Sequence, residues 1–314
     1  AGYEWWLFTL SGGRRSLNKR AEVEQNGAMS ASATDLWIIE DGRAVPKPGA
    51  RPRLMVVEDD TAINRLYKGA FKDDAWEVVV FETAEEAFER AQQERFHLAL
   101  VDKNLPGIDG LMFLGKLRAI DDLIGCLMVT GYSSAQASLQ AANLRVDAYI
   151  EKPWKLFDLV ARAQQVLSNR PCLVPREKRL LQYYTGVDVT PVADVPAQRW
   201  LVAGLGEGRQ AELTAMVRGR HQVEQTDTAD LVGRAQSTNP DVIYLCLRPD
   251  ELNRAIAREL REAAPEATIV VLASGLDISH LKTYIELRVA AVLVPDSAGF
   301  AEEFSRASRA IAGL

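Results

Sequence analysis

The chain is poor in the residues on which several chemistries depend. Of its 314 residues only three are cysteine and three are histidine. No CxxC, HExxH or paired Cys/His cluster occurs, which argues against a structural zinc site. Cys126, Cys172 and Cys246 are odd in number and widely spaced. Cys126 and Cys246 fall inside apolar, strand-like runs, so they read as reduced, buried thiols of a cytoplasmic protein. No apolar run approaches the ~18–20 residues needed to span a bilayer. The apolar start, Tyr3 to Leu10, is short and lacks the basic lead-in of a secretory signal, so neither export nor a membrane role is expected. Positive charge is not in surplus either. The 37 Lys and Arg stand against 43 Asp and Glu, a formal net charge of -6, which argues against a protein whose main business is binding nucleic acid.

What is present is ordinary globular material, 47% hydrophobic and 25% charged, in a length that suits two domains. Residues 1–52 read as an irregular N-terminal segment and linker. Ser, Gly, Asn and Ala dominate from Ser11 to Thr34, and four linker-type residues crowd Pro46 to Pro52. Met29, followed by a polar Ser-Ala-Ser-Ala, is expected to be the biological start, with 1–28 an upstream extension. From Arg53 a regular rhythm begins. Short β-branched or apolar runs (Leu54–Val57, Trp76–Phe81, Leu98–Val101, Ile124–Val129, Ala148–Ile150) alternate with stretches of helical spacing. Such alternation predicts right-handed crossovers and a parallel sheet covered on both faces over residues 53–168. Residues 169–198, proline-bearing and charged, read as a linker, with a short helical piece at Leu180–Tyr184. Over 199–314 the same rhythm returns, so the second half is a structural repeat of the first. The expected fold class is α/β: two doubly wound (βα)5, flavodoxin-like domains, each with a five-stranded parallel sheet.

In such a sheet the carboxyl ends of the strands form one rim, where residues distant in sequence meet. The rim of the first unit carries Glu58, Asp59 and Asp60 after its first strand, Asp102 after its third, Thr130 after its fourth and Lys152 after its fifth. Taken singly these residues are ordinary: an acidic helix start, a strand-ending Asp that caps a turn, a turn Thr, a Lys before a Pro. Together they crowd several carboxylates into one pocket, which demands a cation. Hard oxygen ligands around an open position suit Mg²⁺. A hydroxyl and an ammonium on the same rim match the remaining oxygens of a phosphoryl group, and the set points to phosphoryl transfer.

The stretches "LMVVEDD" (54–60), "LALVDKNLPGIDG" (98–110), "LMVTGYS" (127–133) and "AYIEKPW" (148–154) make residues 53–168 resemble the CheY-like receiver domain of two-component response regulators. That resemblance implies a phosphoacceptor at Asp102, charged from the phosphohistidine of a sensor histidine kinase. It implies Mg²⁺ held by Glu58 (through water), Asp59, Asp102 and the Asn104 carbonyl. Thr130 and Lys152 would contact phosphoryl oxygens, and Tyr149 would be the aromatic switch residue. It also implies a protein that is not an enzyme beyond its own phosphorylation and dephosphorylation. Its output would be protein–protein interaction, or a phosphorylation-dependent homodimer through the first unit's fourth helix, fifth strand and fifth helix.

The second unit keeps the strands and loses the rim. Gly204-Leu205-Gly206 replaces the acids, Cys246 stands in the place of Asp102, Ser274 in that of Thr130, and Pro295 or Asp296 in that of Lys152. It resembles a degenerate receiver, kept for its surfaces. Gly204 to Gly208 looks like a dinucleotide-binding turn with Glu224 about 20 residues on, but Arg209 occupies the third glycine's position. No helix-turn-helix pattern stands outside the α/β repeat, and direct nucleic-acid binding is not expected. Two other functions fit the same residues. One is a phosphorelay intermediate or phosphate sink that passes its phosphoryl group to a histidine phosphotransfer protein. The other is a regulator whose second domain binds a small molecule.

Overall fold

The computed structural model describes residues 36–40, 43–71, 75–131, 134–168, 170–186, 192, 194–246, 254–274, 280, 283–285 and 287–314. Met29 and the expected upstream extension lie outside them.

The segment read as irregular contains two strands. β1 (Trp37–Glu40) and β2 (Arg43–Pro46) pair antiparallel, and β2 continues onto β8 (Arg170–Pro171). Burial accounts for their order. Trp37 and Ala44 are buried with Leu123 in a small apolar cluster, and the Trp37 ring lies 4.9 Å from the His97 ring.

The first unit runs β3 (Arg53–Val57), α1 (Thr61–Ala70), β4 (Glu77–Phe81), α2 (Ala84–Gln93), β5 (Leu98–Asp102), α3 (Gly110–Ile120), β6 (Gly125–Thr130), α4 (Ala135–Asn143), β7 (Ala148–Glu151) and α5 (Leu156–Ser168). Its strands are parallel in the order β4-β3-β5-β6-β7. Every residue of β5 and β6 is buried, as expected of central strands covered by helices on both faces. Helix starts on the rim are set by side-chain caps. Asp60 accepts from the Ala62 and Ile63 amides at 2.7 and 3.2 Å, Asp109 from Leu111 at 2.8 Å, and Ser134 from Ala137 at 3.2 Å. Each satisfies helix donors that otherwise lack a partner.

The expected linker is largely ordered. α6 (Pro175–Tyr184) begins with proline at its first turn, where a missing N–H costs nothing. It packs against α10 (Phe300–Ala312) and α3. Arg179 donates to the carbonyls of Ala310 and Ile311 at 2.7 Å each, which places a cation at the negative end of α10.

The second unit runs β9 (Arg199–Ala203), α7 (Glu207–Val217), β10 (Gln222–Thr226), α8 (Leu231–Thr238), β11 (Val242–Cys246), α9 (Arg254–Ala263), β12 (Thr268–Leu272), β13 (Ala291–Leu293) and α10. Its order, β10-β9-β11-β12-β13, repeats that of the first sheet strand for strand. The helix expected at Leu281–Arg288 falls partly outside the described residues.

The two units share a core. One apolar cluster runs from Met55 and Val101 through Ala141 and Val146 to Val289 and Ile269. At the seam α4 packs on the edge strand β13. The Asn143 side chain donates to the Val292 carbonyl (3.2 Å) and accepts from the Val292 amide (2.7 Å), so an amide completes one position of an open sheet edge. Much of the face expected to pair with a second copy is therefore covered within the chain. The α5 end of that face stays open, with Leu156 and Phe157 exposed.

Candidate functional site

The strand order sets Asp102 between the ends of β3 and β6. Backbone hydrogen bonds across the rim fix the residues that leave these strands. Glu58 donates to the Phe81 carbonyl (3.1 Å), Lys103 to Val129 (2.8 Å) and Lys152 to Thr130 (2.8 Å).

The three consecutive acids turn in different directions. Asp60 is the cap of α1, which is the ordinary reading of such a cluster. Asp59 is exposed, and Glu58 is buried beneath the rim. Asn64 holds this turn by donating to the Glu58 carbonyl at 2.7 Å.

Lys152 joins the acids. Its Nζ lies 2.9 Å from Glu58 Oε2 and donates a very short hydrogen bond to Asp102 Oδ2. The second Asp102 oxygen accepts from the Asn104 amide at 3.0 Å. Burial pushes the Glu58 carboxyl up to about 7; Lys152 pulls against this shift while Asp102 adds to it. Burial would lower the Lys152 ammonium, yet its bonds to Asp102 and Glu58 raise it overall. Among the described residues no three His, Cys, Asp or Glu side chains form a ready metal cage. Two buried carboxylates sharing one ammonium, with the exposed Asp59 beside them, nonetheless fit Mg²⁺, which takes one or two carboxylates and fills its shell with water and phosphate oxygens.

Thr130 is fully buried at the end of β6. Tyr149 lies on β7, partly buried, with its hydroxyl buried and without a hydrogen-bond partner. Beyond Asp102 the chain must turn closely. Gly107 adopts φ +79°, and a Cβ on Gly110 would stand 2.1 Å from the Asp102 carbonyl oxygen. Gly131 leaves open space beside Lys152, the nearest atom to a Cβ there being its Cδ at 4.0 Å. The Lys152–Pro153 bond is cis. Tyr132 and Ser133 of the "LMVTGYS" stretch lie outside the described residues.

The second rim is closed by backbone. Gly204, in the place of Glu58, adopts φ +72°, and a Cβ there would lie 2.3 Å from the Cys246 carbonyl oxygen. Cys246 is partly buried and in no disulfide. Glu224, the acid that a dinucleotide turn would need, is ion-paired to Arg234, and Arg209 lies over the Phe300 ring at 4.0 Å.

A doubly wound parallel sheet with an acid pair and a lysine on its carboxyl rim is the architecture of CheY-like receivers. Residues 54–164 match the response regulator receiver domain, and this part of the chain belongs to that family. The chain is 26% identical over 155 residues to the transcriptional regulatory protein PrrA of Mycobacterium tuberculosis, across 49% of this chain and 64% of PrrA. It is 29% identical over 165 residues to the transcriptional activator protein PfeR of Pseudomonas aeruginosa, across 50% of this chain and 54% of PfeR. It thus spans somewhat more than half the length of these curated relatives. A solved CheY-like receiver domain protein from Methanospirillum hungatei is 35% identical with a TM-score of 0.37, covering 38% of this chain and 94% of that one.

Proposed function

We propose that the chain is a cytoplasmic two-component response regulator whose receiver is phosphorylated on Asp102. The observation that carries this reading is Lys152, which holds Glu58 and Asp102 together in one buried pocket. The donor is the phosphohistidine of a sensor histidine kinase. An Asp102 carboxylate oxygen forms the new O–P bond as the N–P bond breaks, and the imidazole leaves and takes up a proton. Catalysis is positioning and charge neutralisation. Lys152 pairs with one phosphoryl oxygen and the Thr130 hydroxyl donates to another. Glu58, Asp59, Asp102 and the Asn104 carbonyl are the residues that would hold Mg²⁺. Bound Mg²⁺ supplies positive charge to the phosphoryl oxygens.

The readout passes through Tyr149 and α4. A buried hydroxyl without a partner costs about 1–3 kcal/mol, so Tyr149 gains from any rearrangement that gives its oxygen one. Phosphorylation shifts this equilibrium between two arrangements of the α4–β7 face. Because α4 already carries the second unit, the first consequence of the shift is a change at the seam. The second unit, a degenerate receiver, acts as the built-in partner of that face.

Acetyl phosphate with Mg²⁺ tests the assignment. Wild type is expected to gain one acid-stable, base-labile phosphoryl group, located by borohydride reduction and peptide mass. Asp102→Asn should gain none. Labelling that persists in that variant, or that maps to residues 199–314, would refute the reading.

A further inference from the structure

The helix that follows the three acids carries a buried polar group that the rim does not use. Of the residues of α1 only Asn64 and Tyr67 are buried, and three positions apart they share one face. Asn64 holds the Glu58 carbonyl at 2.7 Å. Tyr67 is 1% exposed and belongs to the apolar cluster of Leu54, Val56 and Leu100. Its ring stacks on that of Trp154, with centroids 5.2 Å apart and planes 26° from parallel. Trp154 comes two residues after Lys152. The stack therefore ties the chain that carries the lysine to the helix that carries the acids.

Helical side chains lean toward the start of their helix, and the start of α1 lies on the rim. The Tyr67 phenol accordingly senses the pocket. Burial raises it above its ordinary value, the charges of Glu58 and Asp102 raise it further, and the Trp154 N–H acts the other way. Yet the hydroxyl is buried without a hydrogen-bond partner, and so is Trp154 Nε1. The indole N–H is a donor only, whereas the phenol oxygen both accepts and donates. Folds rarely leave such atoms unpaired. Asn64 Oδ1 is also without a partner, but an amide oxygen is a weaker acceptor than a carboxylate.

The nearby carboxylate is one that phosphorylation would leave short of a donor. Glu58 Oε2 accepts from Lys152 Nζ at 2.9 Å, and Oε1 from the Asp60 amide at a long 3.4 Å. Pairing of Lys152 with a phosphoryl oxygen on Asp102 draws its ammonium away from Glu58. A carboxylate that is 2% exposed then loses its closest donor, which is a costly state.

We propose that Tyr67 and Trp154 are positioning residues for the phosphoryl transfer: as Lys152 turns to the phosphoryl group, the Trp154 N–H donates to the Tyr67 oxygen and the Tyr67 hydroxyl donates to Glu58. This rests on the assignment of Asp102 as the phosphoacceptor. Movement at Lys152 carries Trp154 with it, so the relay closes only when the lysine has left Glu58. It stabilises the transition state and the phosphorylated chain but not the resting one. Such an interaction belongs in the rate at saturation and not in the affinity for the donor.

Labelling of the full chain over a range of acetyl phosphate concentrations with Mg²⁺ tests this, with thermal unfolding of the unphosphorylated chain in parallel. Tyr67→Phe removes one oxygen and should melt no lower than wild type, because the resting hydroxyl has no bond to lose. Its labelling rate at saturating acetyl phosphate should fall about tenfold, with the half-saturating concentration unchanged. Trp154→Phe keeps an aromatic ring at the stack and removes the N–H; its saturating rate should fall about threefold. The double variant should be no slower than Tyr67→Phe, because the tryptophan acts through the phenol. A lower melting temperature of Tyr67→Phe would make the hydroxyl a structural bond of the resting chain. A saturating rate equal to that of wild type would make it idle, and multiplied losses in the double variant would separate the two residues. Each of these results overturns the proposal while leaving Asp102 in its role. A wild type that takes up no phosphoryl group would refute the assignment of Asp102, and the relay with it.

Discussion

The two halves of this chain share a strand order and differ at the rim, and the difference separates what the fold requires from what the chemistry requires. Both sheets place their third strand between the first and the fourth, and both bury that strand almost completely. In the first unit β3 ends on a buried glutamate that shares a lysine with Asp102. In the second, β9 ends on Gly204, whose backbone lies so close to the Cys246 carbonyl that no side chain fits. The acid pocket of one unit is occupied in the other by main chain. A parallel sheet folds in either case, so the acids are additions to the architecture and not part of what holds it together.

The sharpest way to break this comparison is to write the first rim into the second. Gly204→Glu forces a side chain into a left-handed backbone position and against the Cys246 carbonyl. Strain and overpacking together should cost about 4 kcal/mol, read as a lowered urea midpoint of the full chain. Adding Cys246→Asp should yield no acetyl-phosphate labelling in residues 199–314. A double variant that stays stable and becomes labelled would mean that the second rim is merely unmutated and not closed.

Next in size is an acid dependence that belongs to the first unit alone, since Asp147 has Ala290 at the matching position. Burial by itself would raise the Asp147 carboxyl, but Arg170 and Arg118 hold it down at about 2. Its folded value is thus below the ~3.9 of an unfolded chain. The stability it contributes is complete above pH ~4 and disappears as the pH falls toward 2, on the order of 2 kcal/mol. Urea midpoints of wild type should fall through this window more steeply than those of Asp147→Asn. Parallel curves would show that the pair of arginines does not hold the carboxylate.

Much of this was legible beforehand, and the exceptions have physical causes. The alternation of buried strands and amphipathic helices carried both sheets, and four short motifs placed Glu58, Asp102, Thr130 and Lys152 on one rim. The hairpin of β1 and β2 falls outside this rhythm although Asp41-Gly42 between apolar residues is a strong turn signal; four-residue strands are too short for periodicity to speak. The start of α6 at Pro175 was masked by prolines that also mark linkers. Three adjacent acids do not reveal that one is a cap, one is exposed and one is buried, because only the packed rim distinguishes them. The seam was the least legible feature. Asn143 and Arg145 at a helix end look like solvent-facing residues, and their partners, Val292 on β13 and Arg288 in the turn before it, lie 149 and 143 positions away.

The seam itself offers a smaller lesion. Asn143→Ala removes both hydrogen bonds to Val292 and leaves a buried amide without a partner, which should cost about 1.5 kcal/mol. The loss should be accompanied by faster proteolysis between the units, because Val292 sits on the edge strand that α4 covers. Unchanged stability would show that water replaces the side chain, and that the units are joined by their shared apolar core alone.

The smallest effect is the most discriminating between relic and working part. Thr130 and Ser274 stand at matching strand ends, but Thr130 is fully buried while Ser274 is partly exposed. Ser274→Ala should change stability by no more than about 0.5 kcal/mol, as surface substitutions do, and should leave labelling of Asp102 untouched. Thr130→Ala should fold and still accept phosphate, because Asp102 and Lys152 remain. Its loss should appear in the readout: the phosphorylated variant should keep the proteolytic pattern of the unphosphorylated wild type at the seam. A Thr130→Ala chain that responds normally would detach the hydroxyl from the switch. A Ser274→Ala chain that loses the response would give the second rim a role that its closed backbone otherwise denies it.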